Sequence, residues 1–244
     1  MKIIAHRGAS GLALENTLAS FELAMLLGVD AIELDIHISQ DGKLMVNHDA
    51  TLLRTSGDPL QVKSSKQRQI SAVLLNDGQS YVPTLKQVFD ATGYTPLTIE
   101  IKSPGCATAL HKLLKRHRNR DVTVVSFKHT DLSQLQALGT QAKLVALERT
   151  KPLEIIDVAR RQHFDGIGLN FWLLNPLTYW YTRRAGLTIY VYTINSRVLG
   201  KLIGWLYPHV AICTDHPEWF IKHPWLKVRS SLGDKLTRTG RGRS

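Results

Sequence analysis

Cysteine is nearly absent from this chain: Cys106 and Cys213 are the only two in 244 residues, and they fall in different predicted elements. That rules out a disulfide framework and argues for two reduced thiols with no catalytic part. Long apolar runs are missing as well, none approaching the roughly 20 residues that cross a bilayer. The chain passes from Met1 through Ile3 and Ile4 straight into a polar cluster at His6, which leaves no room for a cleavable leader and predicts a cytoplasmic protein. Internal repeats and low-complexity tracts are lacking, and no nucleic-acid-binding module is recognisable, so no specific nucleic-acid partner is expected. Acids are the scarcer charge, 20 against 31 Lys and Arg, for a formal net charge of +11. The surplus is uneven: residues 222–244 hold seven Lys and Arg against one Asp, so +6 lies in that tail.

What the sequence does have is an alternation of short β-branched runs with longer amphipathic ones, the pattern of parallel strands joined by crossover helices. Strands are predicted near 2–6, 31–37, 97–102, 122–127, 143–148, 166–170, 188–194 and 210–214. Helices are predicted over 15–27, 84–92, 107–118, 131–138, 152–162, 176–185 and 196–204, with a last one after 216. Eight such units in a chain of this length describe one TIM (β/α)8 barrel domain, residues 1–221, followed by a basic tail, 222–244. One excursion departs from the pattern. Ile36 to Ser39 runs out, Asp41-Gly42 turns the chain, and Leu44 to His48 returns, which is a β-hairpin after the second strand. Residues 50–82 then form a polar stretch too long for an ordinary loop, expected to cover part of the barrel mouth.

Four polar clusters interrupt the apolar runs: His6-Arg7-Gly8, Glu33-Leu34-Asp35, His48-Asp49 and Glu100-Ile101-Lys102. Residues two apart on a strand share a face, so Glu33 and Asp35 stand side by side while Ile32 and Leu34 take the other face. Two inward carboxylates repel each other unless a cation sits between them. Glu100 joins from a strand on which Thr98, Glu100 and Lys102 share a face. Three carboxylates without a nearby thiol suit one hard divalent cation, Mg²⁺ or Ca²⁺, better than zinc. Folding back about Gly42 carries His48 to the level of Glu33 and Asp35.

These blocks, together with Glu15-Asn16-Thr17, Leu53-Arg54-Thr55, Pro83-Thr84-Leu85 and Thr214-Asp215-His216-Pro217, resemble the glycerophosphodiester phosphodiesterases, in that family's order from residue 3 to 217. The resemblance implies a TIM barrel that hydrolyses glycerophosphodiesters to glycerol 3-phosphate and an alcohol with a divalent metal. It assigns Glu33, Asp35 and Glu100 to the metal and His6 and His48 to acid and base, without saying which is which. Two positions depart from it. Tyr192-Thr193-Ile194-Asn195 stands where the family has Trp-Thr-Val-Asn, which keeps an aromatic wall at Tyr192 for the substrate, and Leu14 stands where Pro is common.

Phosphodiester cleavage needs charge neutralisation, a proton taken from the nucleophile and a proton given to the leaving oxygen. Arg7 and Lys102 supply fixed positive charge for the phosphate, although Lys102 also suits a pairing with Glu100. Asp49 either orients a histidine or caps a turn, and Glu15 either supports the site from outside or opens the first helix. Asp215 either joins the site at the end of the eighth strand or caps the last helix, and is left out of the core set. The other histidines, His37 among them, are read as structural or solvated. Trp180 is expected in helix packing, while Phe171 and Trp172 divide evenly between packing and lining the mouth. A lining role favours a second activity, lysophospholipase D. The rival of another class is a silent barrel that binds anionic lipid, but such a relative should have lost an acid or a histidine. Trp219, Phe220, Trp225 and Leu226 ahead of the cations predict peripheral contact of the tail with an anionic membrane.

Overall fold

A computed structural model describes residues 1–221; the basic tail and its expected membrane contact lie outside the described residues. Elements follow in the order β1 Ile3–Ala5, α1 Leu18–Leu27, β2 Ala31–Ile38, β3 Leu44–Val46, α2 Leu53–Ser56, α3 Gln67–Ile70, α4 Leu85–Thr92, β4 Leu97–Ile101, α5 Cys106–Arg116, β5 Val122–Ser126, α6 His129–Ala137, β6 Lys143–Glu148, α7 Pro152–Arg161, β7 Gly166–Asn170, α8 Pro176–Arg184, β8 Thr188–Tyr192, α9 Arg197–Leu206 and β9 Val210–Thr214. Eight strands, all except β3, pair in parallel, and β1 closes the ring by pairing with both β2 and β9. This is the predicted TIM barrel, with β3 antiparallel on β2 as the predicted hairpin.

Strands covered on both faces read as continuous apolar runs. Their outward residues, such as Ile32, Leu34, Ile36, Ile99 and Val124, pack under the helices in the main core. Inside the barrel a smaller plug of Ile4, Val125, Val145, Leu147, Tyr190 and Cys213 fills the channel. A third cluster, Met45, Leu52, Val62, Ile70, Leu75 and Val82, lies under the 50–82 excursion and gives it a core of its own. Each fully buried side chain of this size contributes about 1.5–3 kcal/mol, so the excursion is a built structure and not a loose loop.

Three local expectations are corrected. The first helix begins at Leu18, not at residue 15, because Thr17 accepts from the Ser20 backbone and Ser20 reciprocates, a capping box that leaves Glu15 and Asn16 in the preceding loop. After residue 216 the described residues hold only a 3₁₀ turn, Pro217–Trp219. Trp180 is 51% exposed, because the inward face of α8 presents the small Thr178 and Thr182 instead.

Candidate active site

The parallel register of β2 with β4 sets Asp35 directly opposite Glu100 and Glu33 opposite Thr98. Because Ile32, Leu34 and Ile36 take the helix side, both β2 acids point into the barrel. Glu33, Asp35 and Glu100 each bring a carboxylate oxygen within 4.8 Å of the others. Burial, then the Asp35 carboxylate, pushes Glu33 well above the usual carboxylate range, and Glu100 rises for the same two reasons. Burial also opposes the charge of Asp35, but Lys102 and Arg7 outweigh it and hold that carboxyl low.

The turn after β1 is built to grip these acids. Arg7 and Asn16 both take φ of 56°, and Gly8 takes 83°. In that geometry the Arg7 backbone N–H donates to Glu33 Oε2 at 2.9 Å. Asn16 Nδ2 donates to Asp35 Oδ2 at 2.9 Å, and Asp35 N–H returns to Asn16 Oδ1 at 3.3 Å. A Cβ on Gly8 would collide with Ser20 of α1, so glycine is required there by contact as well as by φ. Arg7 Nε lies 3.2 Å from Asp35 and its Nη1 2.9 Å from Glu15. Lys102 Nζ bridges Glu100 at 2.8 Å and Asp35 at 3.3 Å.

Two histidines flank the acids, each with Nδ1 against a carboxylate. His6 meets Asp215 Oδ1 at 2.6 Å, and His48 meets Asp49 Oδ1 at 2.7 Å. A carboxylate at Nδ1 selects the tautomer with the proton on that nitrogen and frees Nε2 for chemistry. The two rings are pushed apart in acidity. Burial works against a charged His6, but the Asp215 hydrogen bond and the field of Glu33 prevail and raise it. His48 is lowered, by burial first, with Lys102 and Arg7 adding to that against the pull of Asp35. Asp215 also accepts from Ser10 Oγ at 3.0 Å and from Asn195 Nδ2, and these bonds with that of His6 overcome burial to bring it down to about 2.

Every predicted site residue is at the barrel's C-terminal end. Glu15 is not at a helix start; it accepts from Arg7 and from both terminal nitrogens of Arg54 at 2.8 Å. Arg54, carried by α2 of the excursion, also donates Nε to Asp49 at 2.7 Å, so this segment braces His48 from above the mouth. The Tyr192 hydroxyl donates to the Glu148 carbonyl at 2.9 Å, and its ring stands edge-on to Phe127, over which Arg149 lies at 4.2 Å. What this wall offers a ligand is ring surface and a guanidinium. Sequence reasoning missed Asn16, Arg54, Asn195 and the hold of Asp215 on His6. All four stood inside quoted motifs; their partners, up to 209 positions away, carried no local signal. His37, read as a bystander, sits so that Nε2 donates to the His48 carbonyl at 3.0 Å.

Residues 6–219 match the Glycerophosphoryl diester phosphodiesterase family. The chain belongs to that family. It is thus an enzyme of the phosphodiesterase class. Glycerophosphodiester phosphodiesterases of Caldanaerobacter subterraneus subsp. tengcongensis (30% identity, 80% of this chain, 86% of that one) and Bacillus subtilis (29%, 90% and 85%) are similar along most of their length. A lysophospholipase D of Mus musculus is 34% identical over 50% of this chain and 43% of its own. Among solved structures, the glycerophosphodiester phosphodiesterase of Agrobacterium tumefaciens superposes with a TM-score of 0.79 at 27% identity, covering 91% of this chain and 99% of that one. An Oleispira antarctica phosphodiesterase, solved with its product sn-glycerol-3-phosphate, gives 0.84 at 23% identity over 96% and 97%, a likeness of fold.

Proposed function

We propose that this protein hydrolyses glycerophosphodiesters to glycerol 3-phosphate and an alcohol, with one hard divalent cation, Mg²⁺ or Ca²⁺, on Glu33, Asp35 and Glu100. The observation that carries this is the flanking of a three-carboxylate cluster by two imidazoles, each fastened at Nδ1 by its own carboxylate. The cluster fits such an ion: its donors are all carboxylate oxygens, and burial, then the neighbouring Asp35 carboxylate, raises Glu33 and Glu100, both of which a cation would offset. Three carboxylates against Arg7 and Lys102 leave a net charge near −1, so a dication turns the site to about +1, matching a singly charged phosphodiester. When bound, the cation polarises a phosphoryl oxygen and offsets its charge.

The remaining work falls to the chain's own side chains. His48, held towards its neutral form, is the base, and Nε2 takes a proton from water or from the glycerol 2-hydroxyl. His6, held towards its charged form, is the acid, and Nε2 gives a proton to the departing oxygen. Asp49 and Asp215 orient the rings, and Glu15 with Arg54 steadies Arg7 and Asp49 from outside. Arg7 and Lys102 hold the phosphate, and the Tyr192 ring walls the alcohol half. Two buried, unpaired thiols support a cytoplasmic setting. Release of glycerol 3-phosphate from glycerophosphocholine, measured with chelator and after adding Mg²⁺ or Ca²⁺ back, tests site and substrate together. Turnover untouched by chelation would defeat the metal; no release under either ion would defeat the substrate class.

A second activity, lysophospholipase D, is favoured by Trp172, 79% exposed beside Phe171 at the end of β7 on the mouth side. Head-to-head turnover of lysophosphatidylcholine and glycerophosphocholine separates the two. The silent lipid-binding barrel is disfavoured by a complete set of acids and histidines.

A further inference from the structure

Between Asp165 and Asp215 the sequence contains no acidic residue. That stretch builds α8 and α9, neighbouring helices joined by the rings of Tyr179 and Tyr207, 5.1 Å apart. Most outer helices of a barrel turn charge to water, as α7 does with its Lys151–Glu154 and Arg160–Asp157 pairs. Here the outward stripes are apolar. On α8, Leu177, Trp180 and Tyr181 are 47–53% exposed; on α9, Val198 and Trp205 are 79% and 78% exposed, with Leu202 and Leu206 at 47% beside them. With Trp172 that makes eight large apolar or aromatic side chains turned to water on this side of the barrel, more than the scattered single ones of an ordinary surface. Arg183, Arg184, Arg197 and Lys201 stand exposed among them with no acidic partner among the described residues, and Arg184 lies over the Trp180 ring at 5.3 Å.

We propose that the outer face of α8 and α9 docks this protein on an anionic lipid bilayer, its Trp and Tyr rings in the headgroup zone and its four cations on lipid phosphates. Charge decides the occupant. In a two-fold dimer through this face the cations of both copies would confront one another with no acid between them. Residues 222–244, whose chain leaves from Phe220 packed on Gly200 of α9, would likewise bring cations to cations. An anionic bilayer satisfies both the rings and the charges. Trp172 extends the patch to the rim of the barrel mouth, so docking sets the active site beside the lipid surface.

The test is co-sedimentation of the full chain with phosphatidylcholine vesicles, with and without phosphatidylglycerol. Binding is expected only with phosphatidylglycerol present, and W180S/L202S/W205S should weaken it at least tenfold. R183Q/R184Q, which gives up only the surface stacking of Arg184 on Trp180, should weaken it severalfold and flatten its salt dependence. Both variants should hydrolyse soluble glycerophosphocholine at the wild-type rate, and because binding is read without turnover, the outcome is separate from that of the hydrolytic activity. The proposal is overturned if the wild type ignores phosphatidylglycerol vesicles or if both variants bind them as the wild type does. It is equally overturned if ultracentrifugation finds a dimer that W180S/L202S/W205S splits while vesicles bind nothing.

Discussion

Replacing Asp215 with Asn keeps the shape of the side chain and removes the negative charge from His6 Nδ1. The contact it alters is 2.6 Å long, and hydrogen bonds to charged groups of this kind are worth about 1.5–3 kcal/mol. At about 1.36 kcal/mol per pKa unit, the His6 imidazolium loses roughly one to two units. Burial is the largest influence on His6 and opposes its charge, so without Asp215 only Glu33 is left to hold the ring up against burial and Arg7. The sign follows from the role. An acid must carry its proton, so activity is lost as pH rises through its pKa, and a lower pKa moves that loss to lower pH. The alkaline limb of kcat/KM for glycerol 3-phosphate release, under saturating divalent cation, should therefore shift down by roughly one to two units in Asp215→Asn. A limb that stays in place there and moves in Asp49→Asn would refute the assignment of His6 as acid.

His6→Ala and His48→Ala should melt as the wild type does and each lose about 10²–10⁴ in turnover; near-normal rates in both would remove the histidines from the reaction. Cation affinity, followed by calorimetry, should climb with pH and go on rising through neutral as Glu33, pushed up to about 8, and the raised Glu100 give up protons to the ion, and a flat profile would show that they do not bind it. Stability should fall in acid: Asp35, Asp49 and Asp215 are all depressed, so what they contribute is present above about 4 and is lost as pH drops towards their folded values, about 2 for Asp215. Chemical denaturation across that range checks it, a constant midpoint being the contrary result. Gly8→Ala should lower the melting temperature, since left-handed φ and the Ser20 contact together cost about 1–3 kcal/mol.

Much of the barrel was legible because strand and helix periods differ and because acids are costly in a strand buried on both faces. Glu33, Asp35 and Glu100 stood out for that reason. Asp41-Gly42 announced the hairpin that returns His48 to the site. The start of α1 was misread because its cap pairs Thr17 with Ser20, a weaker signal than a Glu at that position. Trp180 was misread because α8 is apolar on its outer face, so the usual rule pointed the wrong way. The hold of Asp215 on His6, and of Asn195 on Asp215, was not legible for a different reason: it comes from the pairing of β9 with β1 and with β8, which no local pattern encodes.

That closure has a consequence for the life of the molecule. The imidazole displayed by the first strand waits for a carboxylate synthesised after the last one, 209 positions later. A nascent polypeptide still attached to the ribosome, or a fragment clipped short of residue 215, has Glu33, Asp35 and Glu100 but a His6 ring with no carboxylate to hold it. On the proposed chemistry, hydrolytic competence arrives only with the final stave of the ring, and its onset during synthesis would be a clock for completed folding.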